Sequence, residues 1–104
     1  MADKRYSIIV ENFDKCLVCG SYIDINKHEI FFGQKHRQLS IKYGLVVPLC
    51  GRHHNKSNDG VHFNSELNKN LKKLGQRAFI KTYPDLDFLS IFHKNYLTGE
   101  EDDL

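Results

Sequence analysis

The sequence holds no apolar run of membrane length and no signal-peptide pattern. The cytosol is therefore the expected compartment. Its three cysteines cannot all pair with one another, and cytosolic cysteines more often bind metal than form disulfides. Neither an internal repeat nor a second domain is visible in the 104 residues. One domain is expected, small enough for its apolar core to be a marginal source of stability and for a metal staple to help. Extended disorder is excluded by 40% hydrophobic and 27% charged residues, an ordinary globular balance. Acidic residues are scarce outside one place. Four of them stand together at the end, in GEEDDL, so the net charge of +2 hides a basic body of 15 Lys and Arg against 9 Asp and Glu in residues 1–99. A basic body with a short acidic tail suits a polyanionic partner.

What is present is concentrated. The stretch PLCGRHHNKSNDGVH, residues 48–62, carries one cysteine and half of the six histidines. Histidine is the commonest metal ligand and the usual proton acceptor near neutral pH. Upstream, Cys16-x2-Cys19 supplies half of a four-ligand site, because two intervening residues let both sulfurs face one ion from a tight turn. Cys50-x2-His53 repeats that spacing and uses the last cysteine. The set Cys16, Cys19, Cys50 and His53 reads as a tetrahedral structural zinc site, of the closed kind that supplies folding free energy. His54 then points elsewhere, since helical neighbours lie about 100° apart. Asn58 falls on the His54 face, and His62 follows the Gly60 turn.

Along the chain, RYSIIV (5–10) reads as a short strand from its β-branched residues. KHEIFFG (27–33) is a second strand with His28 near its beginning, and QKHRQLSIK (34–42) a basic connection. YGLVVPLC (43–50) is the strongest strand, bounded by Gly44 and Pro48. A short helix is expected from Gly51 to about Asn58, ended by Asp59-Gly60. Leu67, Leu71, Leu74 and Ala78 recur at helical spacing after a cap at Asn64 or Ser65. Tyr83-Pro84-Asp85 breaks that helix, and Asp85 is the expected cap of another through LDFLSIFHKNYL (86–97). Phe31, Phe32, Phe79, Phe88 and Phe92 are assigned to the core, His36 and His93 to the polar surface. Lys72, Lys73 and Arg77 fit a solvated helix face and a DNA-facing one equally well.

A leading Cys-x2-Cys, a strand histidine and then Leu-Cys-x2-His-His opening a helix resemble the HNH endonucleases. HEIFFGQKHRQLSIKYGLVVPLCGRHHNKSNDGVHFN (28–64), followed by a helix and FHKNYL, is similar to small HNH-type proteins of phages and prophages of Gram-positive bacteria. The resemblance spans about residues 14–97. It implies an α+β fold: a zinc-stapled ββα-metal finger (β-hairpin plus helix) over about 14–63, C-terminal helices over about 64–97 and an acidic tail at 99–104. It also implies a metal-dependent DNA endonuclease acting in the cytoplasm of a bacterial host, double-stranded DNA being the favoured partner. His28 would be the general base. His54, with Asn58 and His62, would hold a catalytic Mg²⁺ or Mn²⁺, and Arg37 would be a second cation for the phosphate. Lys27 stands where many relatives have an Asp or His ligand. A register one residue later would make His28 the ligand and Glu29 the base. No Asn lies between His28 and Cys50, which leaves Ser40 as a candidate to hold the base. The rival expectation is a zinc-stabilised DNA-binding or adaptor module of a phage DNA-processing complex, without cleavage of its own.

Overall fold

A computed structural model describes residues 5–56 and 65–97. The chain is a small α+β protein built on an antiparallel pair of strands, β1 (Ile25–Glu29) and β2 (Val46–Cys50). The register sets Ile25 opposite Cys50, His28 opposite Val47 and Glu29 opposite Val46. Every residue of β2 is buried, which suits a run of Val, Val and Leu that contacts the core on one face and the cysteine turn on its edge.

The sequence marks the connection between the strands only as a basic link. It folds as α1 (Gln34–Tyr43). Two glycines bracket this helix. Gly33 precedes it at φ 100°, and Gly44 follows at φ 72° with its N–H donating to the Ser40 carbonyl, the usual left-handed stop. A side chain at Gly44 would also meet the Tyr6 ring, 2.5 Å from the position its Cβ would take. Ser40 is fully buried. Its hydroxyl donates to the Phe31 carbonyl (2.7 Å) and accepts from the Phe31 N–H (3.0 Å). One side chain thereby satisfies the two backbone groups of a buried turn that has no ladder partner.

The RYSIIV segment does not join the sheet as a strand. Ile8 N–H reaches the Gly44 carbonyl, but Ser7 Oγ accepts from the N–H groups of both Ile9 and Val10. This local serine turn diverts donors that a ladder would need. Tyr6 anchors the segment by donating to the Lys42 carbonyl at 2.6 Å.

The helix α2 (Ser65–Thr82) buries Leu71, Gly75, Gln76 and Phe79 along one side. Leu67 and Leu74 are partly buried against the same core, as their spacing predicts. Gly75 lets α2 approach closely, since a Cβ there would lie 3.0 Å from the Phe31 ring. The next helix, α3, is a short turn, Phe88–Phe92, shorter than the sequence reading. Its cap is Asp87 and not Asp85: the carboxylate accepts from Leu89 N–H and from the Ser90 hydroxyl. His93, at φ 64°, closes it. Four of the five expected core phenylalanines stack together, with Phe31–Phe92 centroids 4.7 Å apart and Phe88–Phe92 4.6 Å. The fifth, Phe32, is 38% exposed. His93 is exposed as expected, whereas His36 is half-buried with its ring edge-on to Phe92. Among the described residues no helix is long and apolar enough to cross a membrane.

Candidate metal centre and adjoining cleft

The cysteine turn is fastened by backbone bonds. Gly20 N–H donates to the Cys16 carbonyl, Cys16 N–H to Ser21, and Leu17 N–H to the Pro48 carbonyl on the outer edge of β2. Gly20 sits at φ 76°, a conformation that glycine adopts without cost. β2 ends in Cys50, and a single π-helical turn, Arg52–Lys56, then carries His53 back toward the sulfurs.

The four ligand atoms all lie within 4.8 Å of one another. Cys19 Sγ to Cys50 Sγ is 3.7 Å, Cys16 Sγ to His53 Nδ1 is 3.8 Å, and Cys50 Sγ to His53 Nδ1 is 3.4 Å. Metal–sulfur bonds of about 2.3 Å and metal–nitrogen bonds of about 2.0 Å at tetrahedral angles require ligand separations of roughly 3.5–3.8 Å. These three separations fall in or near that range, and the cluster is close enough to bind a metal. The electrostatics agree. Burial raises the Cys16 thiol, but backbone N–H groups from Cys50, Cys19 and Val18 outweigh it and bring the group down to about 6. At Cys19 the Ser21 amide favours the thiolate. Desolvation, hydrogen bonds with Cys50 and Cys16 and the Cys16 charge together oppose it and leave that thiol raised. The two sulfurs compete for ionisation, as thiolates gathered for one cation do.

His54 leaves the turn on another side. Its ring meets His28 edge-on, centroids 5.3 Å apart. His28 is the fourth residue of β1, not near its start, and is 2% exposed. Phe32 flanks it at 5.9 Å. The two imidazoles border an open cleft of about 790 Å³ whose other walls include Arg5, Lys27, Glu29, Gly33 and Arg37. Glu29 is almost buried. Arg37 Nε donates to its Oε1 at 2.6 Å and Arg5 Nη1 to its Oε2 at 3.4 Å. Arg5 also donates to the Lys27 carbonyl. The Arg37 side chain is 62% exposed, so its charge faces the cleft mouth while Glu29 fixes its orientation. Arg5 was not singled out in the sequence. It stands twenty-four residues from Glu29, and only the fold joins them.

Of the sequence-derived candidates, the structure gathers Cys16, Cys19, Cys50 and His53 at one point, and His28, Glu29, Arg37 and His54 around the cleft beside it. Ser40 does not hold His28, because its hydroxyl is committed to Phe31. Asn58 and His62 lie outside the described residues. Among the described residues, Cys16, Cys19, Cys50 and His53 form the one group of three or more potential ligands. Comparison with family models, with curated proteins and with solved structures returned no match to this chain in any of the three.

Proposed function

We propose that the chain is an HNH-type endonuclease: a ββα-metal finger stapled by structural zinc at Cys16, Cys19, Cys50 and His53, hydrolysing phosphodiester bonds of DNA with one further divalent ion. The observation that carries this reading is the divergence of His53 and His54. Adjacent residues serve two separate sites, one imidazole among three sulfurs and the other 5.3 Å from the His28 ring in a cleft with two arginines.

In this reading His28, as a neutral imidazole, accepts the proton of the attacking water. Its burial between Phe32 and His54 fixes the ring and keeps bulk water from taking over that role. Arg37, aligned on Glu29, offers a charged fork to the phosphate, and Arg5 adds positive charge to the same wall. Glu29 is the weaker candidate for the base, since both of its oxygens already accept from guanidinium groups. His54, with Asn58 and His62, would hold Mg²⁺ or Mn²⁺, which supplies charge neutralisation at the phosphate and at the departing oxygen.

The test is conversion of supercoiled plasmid to nicked and linear forms across a Mg²⁺ and Mn²⁺ series. The wild type and Glu29→Gln are expected to cut, and His28→Ala to lose activity while keeping its zinc. Equal activity of wild type and His28→Ala defeats the catalytic assignment. The second reading, a zinc-stabilised DNA-binding or adaptor module of a phage DNA-processing complex, is favoured by Lys27 at the usual ligand position. It requires salt-sensitive DNA binding, with no strand scission at any metal concentration.

A further inference from the structure

Beside the cleft, the described surface carries a second pairing of cations. Lys72 rises from α2 with its Nζ 4.6 Å from the centre of the Phe32 ring and 5.5 Å from that of Tyr96. Lys94, just past α3, reaches the same tyrosine, its Nζ 5.3 Å from the ring centre. Two ammonium groups therefore share one aromatic ring, and among the described residues neither forms an ion pair with a carboxylate. Burial and the charge of Lys94 both disfavour the protonated form of Lys72. Cation–π contact holds each ammonium in place without removing the repulsion between them.

The hollow lined by these groups is about 330 Å³, with Asn68, Lys69 and Asn95 completing its wall. The wall is held from behind: Gln76, buried in α2, accepts from Tyr96 N–H at 2.8 Å and donates to Asn95 at 3.1 Å. Two cations held on a rigid aromatic support make a preorganised anion site rather than a set of waving lysines.

Phe32 belongs to both places, since it flanks His28 at 5.9 Å and supports Lys72. Lys72 Nζ is thus no farther from the His28 ring than those two short distances together, about the reach of two or three nucleotides along one strand. We infer that the Lys72–Lys94–Tyr96 hollow binds a backbone phosphate of the same nucleic-acid strand that enters the His28 cleft. The inference rests on the proposed nuclease reading and extends it: Phe32 is the bridge over which the strand runs from one site to the other.

The experiment measures binding of a fluorescein-labelled DNA duplex to the full chain, zinc-loaded and carrying His54→Ala to prevent cutting, over a series of salt concentrations. Lys94→Gln should lower the slope of log K against log salt by about 1, and Lys72→Gln with Lys94→Gln by about 2. Lys81→Gln, an exposed lysine at the far end of α2, removes the same charge and should leave the slope unchanged. Circular dichroism and zinc content confirm folding, and the Lys94→Gln variant, which touches only an exposed side chain, carries the test if Lys72→Gln does not fold. Unchanged slopes at 72 and 94, an equal fall at 81, or no DNA binding at all would each overturn the inference. The nuclease reading answers separately to plasmid scission by the wild type.

Discussion

The separation of two adjacent histidines is open to a direct measurement. Structural zinc binding contributes on the order of 10–16 kcal/mol in small domains, against a total stability of about 5–15 kcal/mol for a chain of this length. With four ligands sharing that term evenly, losing one costs about 2.5–4 kcal/mol. At about 4–8 °C per kcal/mol, this is a fall in Tm of about 10–30 °C. His53 Nδ1 lies 3.4 Å from Cys50 Sγ, at ligand spacing, so His53→Ala should lose both bound metal and that margin of stability. His54 faces His28 instead, and His54→Ala should cost less than about 1 kcal/mol. The assay is zinc content by plasma mass spectrometry after dialysis against metal-free buffer, paired with thermal melts followed by circular dichroism. Wild type and His54→Ala should retain one equivalent with similar melts, whereas His53→Ala should be metal-poor and melt early or without cooperativity. Comparable zinc loss in both variants would mean that the two rings act on one ion. Full retention by His53→Ala would mean that the cluster is closed by some other group. Either result refutes the division of roles.

Two further outcomes follow from the fold. Ser40→Ala leaves the N–H and carbonyl of Phe31 without their shared partner, and should cost about 2–4 kcal/mol in urea unfolding; a change below about 1 kcal/mol would mean that the turn finds other partners. Burial, then the hydrogen bond and charge of Tyr83, push the Tyr6 hydroxyl up to about 12. A folded value above the ordinary 10 means that folding favours the neutral phenol, so this contribution is complete below pH 10 and lost as pH rises toward 12. Stability measured against pH should decline over that window in the wild type and less in Tyr6→Phe, and parallel curves would refute the assignment.

The parts of the fold written in short-range patterns were legible in the sequence. Cys16-x2-Cys19 and Cys50-x2-His53 state their geometry within four residues, and the leucines of α2 recur every three or four positions. α1 carried no such signal. Its sequence, QKHRQLSIKY, shows no continuous apolar stripe, and the helix is set by two positive-φ glycines and by a serine turned inward. Propensity also misled at RYSIIV, where one serine side chain captures the donors of a would-be strand. Asp85 and Asp87 are equally good caps by composition, and only the path of the chain after Thr82 selects between them. In the cleft, His28 and His54 were nameable from the histidine cluster and its spacing, and Arg37 from the resemblance. Arg5 and the clamping role of Glu29 were not, since they depend on a contact between the N-terminal segment and the strand. Phe32 failed as a core residue for a related reason: it lies past the end of β1, in the bend before α1, where its ring meets Lys72 and stays partly exposed.

The cluster also has a topological effect. Cys19 and Cys50 are 31 positions apart, and β1, α1 and β2 all lie between them. A cation joining the two ends turns this stretch into a closed ring, and closure of such a ring removes about 3–4 kcal/mol of disorder from the unfolded chain. His28, Glu29 and Arg37 sit inside the ring, so chelation would release the scaffold and the cleft residues together. Metal supply would then act on the scaffold and on the cleft at once, with no half-assembled form left between them.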